Sequence, residues 1–354
     1  MEIHNEITTM LDLMPQPAFF VRDGMICHHN TAAHAYLIRD NTPISLLIGE
    51  SQTDYCNFHG GCMALTLQLE GQPVPATITQ VGDFQLFTLP QQNESAQLQA
   101  FALSAVQLRE AMLSNSLEIE QLLSQLPAKL KKHCAPIRQN SHQLLRLVCN
   151  MSDAWSYSQG MFHNPEYVEM CAFVEELMER VAWHTENTAI SFRWELPNET
   201  VGTMADRTQI ERALLNMIAN AIKYADRTGE ILIQLTCQKN RLRLSVIGPS
   251  NLKPDADIYT RFQRQPQLED PRHGIGLGMA IIRAVAAAHN GTVLLDTPED
   301  GKVRISLSLP IRKINHSQVH TPRFHMDYAC DRDHVLLELS DLLPAAAYKD
   351  TRDE

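Results

Sequence analysis

Within ERALLNMIANAIKYA, Asn216, Asn220 and Lys223 recur at spacings of four and three, so on a helix they share one face. Two amides and an ammonium held together in this way can take a hydrated Mg2+ and triphosphate oxygens. Downstream, HGIGLGMAII (273–282) places Gly274, Gly276 and Gly278 directly before an apolar, helix-like run. A glycine loop that turns into a helix N-terminus offers free N–H groups and the positive end of the helix dipole to an anion. The glycines alone leave a second reading open, a helix entry packed tightly against a sheet. A dinucleotide-binding loop would need a strand before it, and QRQPQLEDPRHG is no strand; a Walker loop would need Gly-Lys-Ser/Thr, which is absent. One further cluster, Cys56, His59 and Cys62 in CNFHGGC, offers three soft ligands to a metal. It lacks the second pair of a structural zinc site, and a thiol-bearing loop is the alternative.

These residues need elements to position them. Leu214, Leu215, Ile218 and Ile222 give the asparagine helix a core-facing stripe. Around it, residues 165–312 read as a helix (EYVEMCAFVEELMERVAWHTEN), a strand (AISFRWELP), the long helix, a hairpin turning at Lys239-Asn240, a polar loop (249–273), the glycine helix and a last hairpin. That order predicts helices layered on one sheet, a two-layer α/β sandwich. Residues 94–160 carry two consecutive amphipathic helices on either side of Pro127, with Leu144, Leu145, Leu147 and Val148 as an apolar stripe in the second. Such a hairpin leaves apolar faces poorly covered and predicts a homodimer through a four-helix bundle. Residues 1–93 alternate short strands and turns, with hairpins at Asp23-Gly24 and Gly82-Asp83 around short helices. This pattern resembles a PAS-like sensor domain, and a packing domain without ligand is the alternative. Residues 313–354 form a polar extension in which DHVLLELSDLLP is a docked strand or helix. The fold class is therefore α+β multidomain.

Bulk composition narrows the function classes. The chain has 354 residues, 44% hydrophobic and 20% charged, the make-up of a soluble globular protein of several domains. A net charge of −11 argues against non-specific binding to nucleic acid or anionic membrane. No apolar run approaches the roughly 20 residues of a membrane span, and MEIHNEITTM has no signal-like core. The expected location is cytoplasmic, and the 8 scattered cysteines are expected as thiols.

Three ordered motifs carry a resemblance. LLNMIANAIKYA resembles the N box, IYTRFQR (258–264) the F box and HGIGLGMAIIRAVAAAHNG the second glycine box of sensor histidine kinases. Their ATP-binding domain belongs to a larger family shared with gyrase-type and chaperone-type ATPases. The resemblance implies ATP and Mg2+ as ligands, with Asn220 on the metal and Asn216, Lys223 and Tyr224 near the phosphates. It also implies that Gly248, Gly274, Gly276, Leu277 and Gly278 shape the site, and that Arg264 or Arg272 reaches the phosphates. The implied partner is a response regulator or another histidine kinase.

Two departures from the pattern follow. If Gly248-Pro249 align with the family's first glycine box, Val246 stands where an aspartate accepts the adenine amino group. Losing such a partner costs about 1.5–3 kcal/mol, roughly ten- to a hundred-fold in affinity. In the first hairpin helix, AVQLREAML (105–113) matches the acceptor segment but puts Val106 in place of the phosphate-accepting histidine. Valine has no nucleophilic atom. His133 and His142 are substitute acceptors or ordinary surface histidines. The resemblance with these departures predicts a signalling pseudokinase or atypical kinase. The alternatives are an active kinase using a non-standard acceptor and an anti-sigma-type serine kinase, the latter disfavoured by the long hairpin.

Overall fold

The computed structural model describes residues 9, 11–90, 95–131, 133–158, 163–225, 228–250, 277–299, 301–312 and 332–349. Short-range turn chemistry sets its hairpins. Asp23 and Gly24 both take positive φ between β1 (Ala18–Arg22) and β2 (Met25–His29), and Lys239 and Asn240 do so between β9 (Gly229–Gln238) and β10 (Arg241–Pro249). Two such residues twist the chain in the sense that antiparallel strands need. The expected helix at TAAHAYLI is a 3-10 helix (Thr31–Tyr36), capped by the Asn30 side chain. Short helices α1 (Ser45–Ile48) and α2 (Gln52–Cys56) follow. The chain then enters β3 (Cys62–Leu69), β4 (Gln72–Val81) and β5 (Phe84–Thr88).

All but two of the strands join one ten-stranded sheet, ordered β2-β1-β5-β4-β3-β11-β12-β10-β9-β7, where β7 is Ile190–Glu195, β11 Thr292–Asp296 and β12 Lys302–Pro310. The N-terminal five strands and the C-terminal five are fused through β3 and β11, antiparallel with Met63 opposite Leu294. The fusion edge also exchanges the covered face. Met63, Leu65 and Leu67 point into the N-terminal core, whereas Cys62 and Ala64, on the opposite face of the same strand, join the C-terminal core. Polar contacts reinforce the seam. The Asp54 carboxylate pairs with Arg241 at 2.7 Å and accepts from Thr292 at 2.6 Å and Ser308 at 3.0 Å. Gly61, at φ +86°, lies so close to the Leu295 carbonyl that a Cβ there would sit 2.3 Å from its oxygen.

Helices α3 (Ser95–Ser124) and α5 (Ala135–Ser158) form the antiparallel hairpin, joined past the short α4 (Ala128–Lys131). Its register is fixed by Arg109 on Asp153, Ser116 on Ser141 and Arg138 on Glu120. Residues 166–169, expected as the start of a helix, form instead β6 (Glu166–Glu169), paired with β8 (Gly202–Ala205) in a two-stranded sheet. Glu169 closes that strand and caps α6 (Met170–Thr185), accepting from the Cys171 and Ala172 N–H groups. With α7 (Arg207–Tyr224) and α8 (Leu277–Ala288), α6 covers one face of the C-terminal half-sheet. The docked segment DHVLLELSDLLP proves helical, α9 (His334–Glu338), followed by a 3-10 turn (Ala345–Tyr348). Among the described residues no helix is long and apolar enough to cross a membrane.

Candidate functional site

The site is built on α7. Asp206 caps it, accepting from the Gln209 N–H at 3.0 Å. The Asp206 N–H in turn donates to Nε2 of buried His289, whose Nδ1 donates to the Val285 carbonyl. This arrangement requires neutral imidazole, since a proton on Nε2 would face another N–H. Burial pushes the His289 pKa down from 6.5 to about 4, assisted by the neighbouring His163 and Arg312. Because the folded value lies below the unfolded one, this stabilisation is complete above pH 6.5 and is lost as pH falls toward 4. The full difference is roughly 3 kcal/mol. Urea unfolding midpoints should therefore fall between pH 6.5 and 4, and His289→Gln should flatten that part of the profile.

From this anchored start α7 carries its polar face toward the beginning of α8. Asn216 is only 1% exposed. Its Nδ2 donates to the Arg212 carbonyl at 2.9 Å and to Glu338 Oε2 at 3.3 Å. Its Oδ1 abuts Gly278, where a Cβ would come within 2.8 Å. Glycine at 278 thus lets α8 start directly against the asparagine. One turn along, Asn220 is half-buried, with Nδ2 3.4 Å from Met279 Sδ. Lys223 and Tyr224 are half-buried in the last turn, and Leu277 is buried at the start of α8. Gly248, near the end of β10, brings that strand against α7: a Cβ there would lie 3.5 Å from Ala221 Cβ. The structure therefore brings Asn216, Asn220, Gly248, Leu277 and Gly278 around α7. Arg264, Arg272, Gly274 and Gly276 lie outside the described residues.

Val246, two residues before Gly248, shares its face of β10 and points at the same helix layer. It is 1% exposed, paired across the sheet with Ile233 and Ile305, and has no acceptor to offer a base. Val106 lies on α3 with 40% of its surface exposed, an accessible position without a nucleophile. His142, one substitute, is 8% exposed, with Nδ1 2.9 Å from the Arg138 carbonyl and its ring against Tyr348. Burial lowers its pKa. The Cys56, His59 and Cys62 cluster is dispersed: Cys62 is buried at the start of β3, 3.2 Å from Thr79 Oγ1, while Cys56 and His59 are exposed. Among the described residues no three His, Cys, Asp or Glu side chains converge as a metal site.

Sequence reasoning missed the buried charge cluster behind Asn216. Arg212, 0% exposed, pairs with Asp153 of α5, donates to Asn150 Oδ1 at 2.9 Å and faces Glu338 at 3.5 Å. Arg146 of α5 pairs with Glu338 at 3.3 Å and with Asp341 at 2.6 Å. The one local signal was an arginine one turn before Asn216, on a helix whose neighbours are apolar.

An asparagine helix, a glycine-started second helix and a five-stranded half-sheet beneath them define an ATPase-type α/β layer. Residues 205–313 match the family described as histidine kinase-, DNA gyrase B-, and HSP90-like ATPase, and the chain carries a histidine-kinase-type ATPase domain. The adaptive-response sensory kinase SasA of Microcystis aeruginosa is 22% identical over 60% of this chain and 59% of its own. The sensor histidine kinase WalK of Bacillus subtilis is 25% identical over 49% of this chain and 29% of its own. The chain spans 14% of one such relative and 59% of another. Among solved structures, full-length ShkA in complex with AMPPNP aligns with a TM-score of 0.49 at 22% identity, covering 61% of this chain and 46% of that one.

Proposed function

We propose that this chain is a dimeric two-component signalling protein built like a sensor histidine kinase, which keeps a nucleotide-type domain but does not phosphorylate its own hairpin. The observation that carries this reading is Val106: the acceptor position is accessible on α3 and holds a side chain that cannot take a phosphoryl group. Val246 supports it from the other side, since an adenine site there lacks its acceptor. The phosphate end fits a ligand better. Asn220, half-buried against Met279 of α8, and Lys223, half-buried in the last turn of α7, would hold Mg2+ and phosphate oxygens respectively. When bound, Mg·ATP supplies a transferable γ-phosphoryl group; the residues here bind and orient it without an acceptor of their own.

The hairpin favours a second copy as partner. Ile137 and Leu144 of α5 lie seven residues apart and are 49% and 53% exposed, beside exposed Leu147. Val106 and Leu117 of α3 are exposed as well. Apolar positions at such spacing fit a four-helix bundle between two chains. The order of hairpin, short helices and later strands in residues 11–90 supports a PAS-like input domain, and a response regulator or another histidine kinase is the proposed downstream partner.

Incubation with γ-labelled ATP and Mg2+ should leave no acid-labile label on the purified chain. Stoichiometric acid-labile label would overturn the pseudokinase and establish an active kinase with a non-standard acceptor. In parallel, Asn220→Ala should weaken Mg·ATP binding by about tenfold, the worth of one charge-assisted contact; unchanged affinity would remove the role given to Asn220.

A further inference from the structure

Residues 333–348 follow the last sheet strand in sequence and add no strand to the ten-stranded sheet, while Val335, Leu339, Leu342, Leu343 and Tyr348 are buried in the same core cluster as the helices that cover its C-terminal half. They lie across two parts of the molecule at once. On the hairpin side, Leu337 packs on Leu145 and Cys149 of α5, and Arg146 pairs with Glu338 and Asp341. Gln139 and Gln143 donate to the Ser340 carbonyl, and Gln139 also to that of Leu343. The Tyr348 ring meets His142, while its hydroxyl donates to the Leu336 carbonyl and closes the segment on itself. On the ATPase-type side, Asp333 caps α9 and bonds His184 at 3.0 Å and Arg180 at 3.3 Å. Burial alone would raise its pKa, yet those two partners hold it well below the usual carboxylate range. Between the two sides sits Glu338, 0% exposed, with its carboxylate on Arg146, Arg212 and Asn216.

This last contact bears on ligand binding. Both Nδ2 hydrogens of Asn216 are taken, one by the Arg212 carbonyl and one by Glu338, while its oxygen lies beside Gly278. An amide so held has no N–H left to donate to a phosphate oxygen. The partner that holds it is a carboxylate, itself paired with Arg146 and Arg212, so the docked segment claims the Asn216 donors that a polyanion would need.

We infer that residues 333–348 are a separable strap pinning α7 to α5, and that docking of its Glu338 and binding of a nucleotide at α7 exclude one another. The second half rests on the nucleotide reading given above; the first does not. The strap acts as an internal occupant: while docked it fixes the ATPase-type domain against the second hairpin helix, and its release frees both.

The test compares the full chain with one ending at residue 331, with and without a synthetic peptide of residues 332–354. Amide exchange within residues 139–153 and 211–217 is read alongside titration with the Mg2+ complex of a non-hydrolysable ATP analogue. The shortened chain should exchange faster in both segments and bind the analogue at least tenfold more tightly, and the peptide should reverse both changes. Glu338→Gln in the full chain should tighten binding by a smaller factor while leaving the exchange pattern of the sheet intact. Unchanged exchange on shortening overturns the strap. Loss of protection throughout the half-sheet that the peptide cannot restore also overturns it, because the segment is then part of the core. Equal affinity of both chains removes the exclusion and leaves the nucleotide reading standing. Binding by neither chain removes the nucleotide reading and the exclusion together, while the exchange data still decide whether the strap exists.

Discussion

Replacing Arg212 by methionine is expected to cost about 3–5 kcal/mol of folding stability, the loss typical of breaking a buried ion pair by removing one partner. Arg212 is 0% exposed and serves Asp153, Asn150 and Glu338 together. Methionine fills much of the same volume, so the cost is electrostatic and not a cavity. Two carboxylates stay buried with less compensation: Asp153 keeps Arg109 at 2.8 Å, and Glu338 keeps Arg146 at 3.3 Å. The same reasoning predicts recovery when a carboxylate is removed as well, because apolar replacements of a whole buried network are often neutral. A cycle of Arg212→Met and Asp153→Leu should show a coupling of about 1–3 kcal/mol in urea unfolding. A single-variant loss below about 1 kcal/mol would sink the claim that this cluster holds α7 to α5.

How much of this was legible in the sequence depends on how local each cause is. The α7 helix was readable because its stripe of Leu214, Leu215, Ile218 and Ile222 lies within the helix itself. The turns at Asp23-Gly24 and Lys239-Asn240 were readable for the same reason. The fusion of the two half-sheets was not, because β3 meets β11 through backbone groups that carry no residue signature. In CMALTLQL only the alternation of Met63, Leu65 and Leu67 against Cys62 and Ala64 hints that both faces are covered. Strand β6 runs into α6 at Glu169, and four strand residues cannot be told from a helix start by periodicity. Spacing correctly placed Asn216 with Asn220 on α7. Its burial could not be read, because it is imposed by Glu338 from far along the chain.

A second large effect is expected at Val246, where an aspartate would supply the acceptor that valine lacks. Its side chain sits between Ile233 and Ile305 on the sheet face turned to α7, with 1% of its surface exposed. An aspartate there is a buried charge with no partner in the apo protein, a loss of about 3 kcal/mol or more, or else it takes up a proton. An adenine amino group would donate to that carboxylate, whereas guanine presents a carbonyl oxygen at the equivalent place. Val246→Asp should therefore melt well below the natural chain without ligand, and Mg·ATP should raise its melting temperature far more than Mg·GTP. A ligand at a hundred times its Kd contributes about 2.7 kcal/mol, enough to offset most of the loss. The natural chain should respond equally to both nucleotides, since Val246 distinguishes neither. Equal responses in the variant would show that β10 does not line the base site. A preference for ATP already present in the natural chain would show that another group reads the adenine, and Val246 would then mark no loss of recognition.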